Sequence, residues 1–473
     1  MISKKTLLFS IVLLVSINIF GQSQLNLQSY IPAAPNAAEL GKYGSIPVGN
    51  VTGVPDISFP LYEVKSGTLS LPITLSYHAG GVQVNQKPPE TGLGWSVNAG
   101  GQITRTVYGA KDDSQYGLFN YTPPTFSQLS SINNYYTAST YNIASGVGYD
   151  LEPDLFAYNI AGKSGKFIIN PDKQFVTIPY EPIKITKNNN AGYLAFQIVD
   201  ENGTIYKYSN YSTVSSDFSS QQTTINTWHL TSIISANLVD TISIEYETKY
   251  FNDEMENSNI SIGAIETGCN GSAPTYFYGS SAGSGLMSTT TSSLNYSEQV
   301  VKRIYFKNGY VQFNRNNSRI DILEYSKSLD EIVVYNNTNQ PVKKIKLNYD
   351  YFYSPTSNQP FHAQYRLKLT GFSNIDLATL QQGNYSFDYD PTALPPFNSY
   401  NMDYWGNYNG SSNNSLVPTT TVYTDANGLG ISDTYYSGSS ATLIGNANRE
   451  PDANYMKAGV LNKITYPTGG YTT

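Results

Sequence analysis

Three features of the sequence predict an all-β fold, mainly antiparallel hairpins and sheets that pack as a sandwich or wrap as a shell, with very little helix. Charged residues make up only 13% of the 473-residue chain, against about 25% in an ordinary soluble domain. Aromatics also reach 13%, through 41 Tyr, 19 Phe and 3 Trp. With Thr, Val and Ile they suit a pleated, half-buried surface, while 38 Gly and 24 Pro, with abundant Asn and Ser, suit turns. Finally, apolar and polar residues alternate with period two through many short stretches. The low charge excludes a coiled coil or an exposed helical bundle, whose outer faces are charged. The net charge, 28 − 35 = −7, argues against a nucleic-acid binder, which needs clustered Lys and Arg. The aromatic content argues against wholesale disorder.

The elements follow in chain order. Residues 1–21 carry a basic start, Lys4-Lys5, an apolar run over 6–20 and then Gly21-Gln22-Ser23. That is the layout of a secretory signal peptide cut after Gly21; the run of about 15 residues is short against the roughly 20 needed to span a bilayer. No later stretch is apolar enough to span, so no integral membrane segment is expected after cleavage, and the chain is expected to be secreted or held at the cell surface. Cys269 is the sole cysteine. It can form no internal disulfide, lies too far from the signal for a lipid anchor, and reads as a tolerated loop residue.

Asn36-Ala37-Ala38-Glu39 is a capping-box pattern cut short by Gly41 and Gly44, and residues 376–381 could form a further helical turn or two. Ile57, Phe59 and Leu61 alternate with polar residues, as do Leu71, Ile73, Leu75 and Tyr77; Pro60 and Pro72 among them imply strand edges or ends. Asn202-Gly203 and Asn308-Gly309 each sit between alternating runs and predict hairpins whose two turn residues both take positive φ. A third hairpin joins 332–335 to 342–349. Long polar stretches at 114–149, 252–299 and 407–448 divide the chain into β regions at 22–113, 150–251 and 300–406, with a last section at 449–473.

Motifs that look chemical are each better read as structure. Gly279-Ser280-Ser281-Ala282-Gly283 fits G-x-S-x-G but sits in a Gly/Ser-rich loop, not between a strand and a helix. Gly162-Lys163-Ser164 lacks the rest of a phosphate-binding loop and falls in a hairpin turn. His78, His229 and His362 are too scattered to template zinc. Asp425, Asn427 and Asp433 lack the spacing of a calcium loop. No catalytic, cofactor-binding or metal-binding residue is therefore assigned. Gly92-Leu93-Gly94-Trp95 reads as a tight backbone passage beside a large buried anchor. Trp405-Gly406 reads as the same pairing, Trp228 as a strand residue, and Pro467-Thr468-Gly469-Gly470 as a turn.

Several blocks together resemble the N-terminal part of bacterial secreted YD-repeat (RHS-repeat) proteins. They run from Gly44-Ser45-Ile46-Pro47 through Thr52-Gly53-Val54-Pro55-Asp56 and Gly80-Gly81 to Gly92-Leu93-Gly94-Trp95-Ser96, a stretch also similar to the opening region of SpvB and of toxin-complex B components. Further blocks are Glu152-Pro153-Asp154-Leu155-Phe156, Trp228-His229-Leu230-Thr231, Asp403-Tyr404-Trp405-Gly406 and Leu461-Asn462-Lys463-Ile464-Thr465-Tyr466. The resemblance implies a β-shell section that begins or caps a repeat array, with the repeats and a variable C-terminal effector following in relatives. On that reading this chain stops on an unfinished strand pattern at the start of the repeats, and its first partner is its own continuation. The function expected is that of a non-enzymatic scaffold. The alternatives are a surface module that binds glycan or protein through exposed Tyr and Trp, and a secreted β-sandwich hydrolase. The last segment, 463–473, is expected to fray where its strand is cut. Mass spectrometry of the exported product should find the mature N-terminus at or next to Gln22; a membrane-bound chain that keeps Met1 would refute the signal-peptide reading.

Overall fold

The computed structural model describes residues 53–114, 117–120, 122, 152–160, 163–190, 193–216, 223–260, 265–266, 276–277, 287–322, 326–356, 359–424, 431–432 and 440–473, all within one compact unit, Val48–Thr473. The signal-like segment, the 36–39 capping box, Cys269, the 279–283 motif and Asp425, Asn427 and Asp433 lie outside these residues.

The strands in order are β1 (Asp56–Ser66), β2 (Leu69–His78), β3 (Trp95–Asn98), β4 (Gln102–Thr106), β5 (Leu155–Ile160), β6 (Lys163–Ile169), β7 (Phe175–Ile178), β8 (Lys184–Asn190) and β9 (Tyr193–Val199). Then come β10 (Ile205–Ser216), β11 (Thr224–Ile234), β12 (Thr241–Ile260), β13 (Ile265–Glu266), β14 (Tyr276–Phe277), β15 (Met287–Phe306), β16 (Gly309–Asn314), β17 (Glu331–Asn336) and β18 (Pro341–Tyr353). The last are β19 (Tyr365–Asp376), β20 (Gln382–Tyr389), β21 (Thr420–Thr424), β22 (Ile431–Ser432), β23 (Ser440–Ile444), β24 (Leu461–Thr465) and β25 (Tyr471–Thr472). The only helical segment among the described residues is a single 3-10 turn, Phe361–Gln364.

β1, β2 and β3 form a small antiparallel sheet in that order. Along β2, Leu69, Leu71, Ile73, Leu75 and Tyr77 are all buried, so the alternating pattern is the core face. Pro72 is tolerated in this middle strand because β3 pairs only with residues 74–77. Pro60 lies on the outer strand, beside a register shift between Pro60 and Tyr62.

The large sheet is a meander of antiparallel pairs from β8 to β12, then β15 to β20, β24 and β25. β4 to β7 join it through the pairing of β4 with β11. Two strands change partner half-way. β10 leaves β9 after Tyr208 and takes β15 from Thr213; β11 pairs β4 at 227–229 and β12 at 232–234. Three register shifts in the β10–β11 pair accompany the change. The sheet thereby closes on itself through β10, β11, β12 and β15.

The hairpins form at both Asn-Gly sites, with different turns from those expected. Gly203 has φ +82° while Asn202 keeps negative φ, and Gly203 N–H closes on Asp200 O at 3.0 Å. Asp200 fixes the loop by accepting the N–H groups of Asn202 and Thr204. At the second site the turn residues are Lys307 and Asn308, and Gly309 begins β16 with φ +148°. A Cβ there would meet Tyr335 O at 1.9 Å, so the residue must be glycine for packing rather than for the turn alone.

Two other expectations are corrected. Residues 376–381 are a hairpin loop and not a helix: Asp376 Oδ1 accepts the N–H groups of Ala378 and Thr379, an Asx turn that competes with helix. The C-terminal segment is not frayed. Tyr466 N–H to Gly470 O (2.8 Å) and Gly469 N–H to Tyr466 O (2.9 Å) close its turn, and β24 pairs with β20 on one side and β25 on the other.

Two aromatic cores hold these sheets. Trp95 is fully buried between the small sheet and β20; it stacks on Phe387 at 4.3 Å beside Tyr77 and Phe59, and its Nε1–H donates to Tyr389 Oη at 2.8 Å. Trp228, also fully buried, packs with Phe156 and Phe196 and donates to Leu194 O at 2.6 Å. Trp95→Ala should cost about 3–5 kcal/mol, as for other large buried aromatics. Denaturant unfolding checks this; a loss under about 1 kcal/mol, the scale of a surface substitution, would mean that Trp95 is not the anchor described.

Candidate functional site

One concave feature bordered by described residues is a cleft of about 1400 Å³. One wall is the segment 85–102, which leaves the small sheet's core after β2, returns through β3 and runs into β4; the facing wall is β12 and β15. The first wall is pinned by the large sheet. Arg319 pairs with Asp321 through two bonds (3.0 and 2.8 Å) and donates to the carbonyls of Pro88 (2.9 Å) and Pro89 (3.1 Å). Leu329 N–H reaches Glu90 O at 3.0 Å, and Leu93 N–H reaches Leu367 O at 2.8 Å.

Pinning the backbone places the Glu90 carboxylate between two cations. Arg315 donates to both of its oxygens (2.8 and 2.7 Å), and Lys249 Nζ pairs with Oε2. Burial pushes the Glu90 carboxyl up, but Arg315 and Lys249 outweigh it and hold the group below its usual range. Arg315 also reaches Glu247 (3.2 Å) and Val301 O (2.9 Å). Glu298, opposite Lys249 across the β12–β15 ladder, is solvent-accessible and makes no hydrogen bond among the described residues. Crowding by the cleft walls, and then the Glu90 charge, push its carboxyl up.

His229 lines the cleft with Nε2 at 2.8 Å from Ser212 Oγ. Gln299 N–H donates to the same hydroxyl, which leaves the hydroxyl hydrogen for His229. The pair has the members of a Ser–His nucleophile dyad, yet Ser212 is buried and no carboxylate orients His229 among the described residues. A glycan cleft needs several exposed aromatic faces among its amides. The carboxamides of Asn85, Gln102 and Asn159 line the cleft and make no hydrogen bond among the described residues, but of the described lining residues Tyr250 alone presents a strongly exposed ring, at 74%; Phe251 stacks on Tyr296 and Phe397 lies against His362. A glycosidase of the two-carboxylate kind needs both groups free to act, and Glu90 is spent on its ion pairs.

The structural residues singled out in the sequence fall in three places. Gly92 (φ +95°) and Gly94 (φ +79°) bring the backbone to Leu369 and to the Tyr77 ring, where a Cβ would sit 2.9 and 2.6 Å from the nearest atoms, and so deliver Trp95 to the core. Pro467, Gly469 and Gly470 make the exposed β24–β25 turn. Trp405 is a correction: it is 67% exposed and anchors nothing. The buried member of that turn is Asp403, whose carboxylate accepts the N–H groups of Trp405 (2.8 Å) and Asn407 (2.9 Å), while Gly406 takes φ +90°. His78 is exposed, and Lys163 begins β6 paired with Glu201. The sequence reading missed Glu90, Lys249, Arg315 and Arg319. Their one signal is that charges are rare here, so Arg315 and Arg319, just past the core strand β16, stand out.

No family model matches the chain, and no curated protein matches it. Among solved structures it is similar to a crystal structure of TcdB2-TccC3, at 12% identity and a TM-score of 0.36, over 74% of this chain and 17% of that one. It is also similar to the N-terminal domain of the effector protein SpvB from Salmonella typhimurium strain LT2, at 10% identity and a TM-score of 0.32, over 68% of this chain and 98% of that one. A third likeness is to a Photorhabdus luminescens Tc holotoxin pore, at 11% identity and a TM-score of 0.36, over 73% and 16%. The chain thus spans about a sixth of the length of the toxin-complex chains it matches. No helix of the described residues is long and apolar enough to cross a membrane.

Burial lowers the His229 pKa from 6.5 to about 4. The unfolded chain then binds more protons between these values, so stability should be full above about pH 6.5 and fall as the pH drops towards 4, by up to about 3 kcal/mol. His229→Gln should flatten that part of the stability curve. An unchanged slope in the variant would show that His229 titrates normally.

Proposed function

We propose that the chain is a non-enzymatic scaffold, the opening section of a secreted or cell-surface YD-repeat protein, on which further β-structure is built. The observation that supports this most directly is the way the large sheet ends. From β15 through β20 it adds strands as neighbouring hairpins, and the Pro467 to Gly470 turn repeats the step. β25 is paired with β24 alone among the described residues, so its outer edge carries N–H and C=O groups ready for another strand. Tyr471 in that strand is exposed, and Lys463 covers one face of its ring at 5.0 Å. The pairing of Lys249 and Arg315 with Glu90, and of Arg319 with Asp321, also favours a structural role for these groups over chemistry. The sequence resemblance supplies the family of the reading, in which the next strands begin the repeat array and any effector activity lies further on.

The test is to compare this chain with one extended by the next hairpin of its own coding sequence, by hydrogen exchange. The extended chain should slow exchange at Tyr471 and Thr472, since the next strand would cover that edge. Equal exchange at both residues in the two chains would show that β25 is a finished edge, and the scaffold reading would fail.

A further inference from the structure

Of the three tryptophans, Trp95 and Trp228 are fully buried and Trp405 is 67% exposed. Its neighbour Tyr404 is 61% exposed, and these are the two exposed residues of 401–410. Burying two such rings would stabilise the chain, so a turn that holds both outward is an informative departure. That turn is rigid. The Asp403 carboxylate accepts the N–H groups of Trp405 and Asn407, and Gly406 N–H closes on Asp403 O at 3.2 Å. Arg449 clamps it: Nη2 and Nε donate to Asp403 O (2.6 and 3.2 Å), Nη1 donates to Leu416 O (3.0 Å), and the guanidinium lies 5.1 Å from the centre of the Tyr404 ring. A second segment is bonded to the same turn. Val84 N–H reaches Gly406 O at 2.8 Å, and Gln83 Nε2 donates to Trp405 O at 3.1 Å. Val82 and Val84 are buried there, whereas Gln83 and Asn85 are exposed. Two rings and two carboxamides therefore make the exposed surface of one rigid corner.

From this arrangement we propose that the Tyr404–Trp405 corner binds a neutral glycan, through sugar units whose flat C–H faces stack on the two rings. The polar atoms left unspent suit that ligand. Trp405 Nε1, Tyr404 Oη, Gln83 Oε1, Asn407 Oδ1 and the Asn85 carboxamide make no hydrogen bond among the described residues. They supply both donors and acceptors, and a sugar hydroxyl uses both. The neutral character follows from the two charged groups of the corner: Asp403 is committed to the turn's N–H groups and Arg449 to main-chain carbonyls, so neither is left to pair with a charged ligand. An aromatic anchor for a partner protein would sit in a contiguous apolar patch, but Val82, Val84 and Met402 beside these rings are buried. Rings set singly among carboxamides fit a ligand whose apolar faces are small and edged with hydroxyls. The bracing by Asp403 and Arg449 favours binding as well, because the corner needs no ordering when the ligand arrives.

Because the other two indoles are fully buried, acrylamide quenching of the intrinsic fluorescence reports on Trp405. The probes are cellohexaose and chitohexaose, neutral chains of flat, β-linked pyranose units, titrated against the full chain. At least one of them should shield Trp405 from acrylamide in a saturable way, and calorimetry should give the same midpoint. Trp405→Ala should weaken calorimetric binding about tenfold or more, as truncation of an aromatic anchor does. Trp405→Phe keeps a ring to stack on and should stay within about threefold of the original chain. An unchanged thermal midpoint shows that each variant is folded. The proposal is overturned if neither hexasaccharide shields Trp405 at about 1 mM, the scale of a weak but specific site. It is overturned too if Trp405→Ala binds as well as the original chain, or if Trp405→Phe binds no better than Trp405→Ala. It is equally overturned if raising the concentration of the chain alone shields Trp405, since the occupant is then a second copy.

Discussion

Everything that borders the cleft depends on how Trp95 is seated. The small sheet can reach β20 only if the backbone before Trp95 passes close to β19 and to the Tyr77 ring, and two positive-φ glycines permit that. Once inserted, the indole is held by a relay: its N–H donates to Tyr389 Oη, whose hydroxyl donates to Leu369 O. A buried indole N–H without a partner would lose more than the bond is worth, so the relay matters as much as the ring area. Tyr77 ties the same junction to the chain's last hairpin by accepting the Leu461 N–H at 2.9 Å. Residues 384 positions apart in sequence thus meet at one junction, and the loop that carries Glu90 is fixed between it and Arg315.

With so few charges, the chain spends most of its buried ones at seams. Arg105 joins the Asp113 carboxylate (2.6 Å), the Ile225 carbonyl (2.7 Å) and the Trp228 face, which links β4, the loop after it and β11. Asp154 accepts the Tyr108 and Asp112 N–H groups, and Asp112 returns the bond to Asp154 N–H; burial still pushes the Asp154 carboxyl up. Arg366 is the extreme case. It is buried and donates to the carbonyls of Val84 (2.6 Å) and Pro395 (2.7 Å), and burial lowers its pKa to about 9 against the pull of Asp321. Such groups cost desolvation, so their net stabilisation is small. Their value lies in directionality: each can be satisfied only when two distant loops are in register.

The sequence announced whatever obeys a short-range rule. Period-two burial along β2, the β17–β18 hairpin and the loops at Gly203 and Gly309 all follow from residues within about ten positions of one another. Details of turn type were less legible, because whether Asn202 or Asn308 takes positive φ depends on the strand ends that meet there. Trp405 misled for a related reason. Trp-Gly resembles the Trp95 passage, but the neighbour that decides burial is Asp403, whose carboxylate collects the turn's N–H groups and turns the indole outward. The cleft was not legible at all. Its ion pairs join Glu90 to Lys249 and Arg315, more than 150 positions away, and no local pattern encodes such a distance.

Open edges are where this architecture must choose between solubility and growth. A β-sheet of this length cannot avoid them unless it closes, and among the described residues closure runs through β10, β11, β12 and β15. Elsewhere the edges are treated in different ways. β1 carries Pro60 and a bulge, and its Lys65–Glu63 pair lies on the surface, features that discourage a further strand. β12 places Glu247 and Lys249 beside the edge that has no partner among the described residues, yet both are drawn into the Arg315 and Glu90 network and so do not guard it. β25 has neither proline nor charge. The guarded edge belongs to the small sheet, and the unguarded ones border the cleft and the β24–β25 hairpin. An edge with neither proline nor unpaired charge lacks the features that keep a further strand from pairing with it.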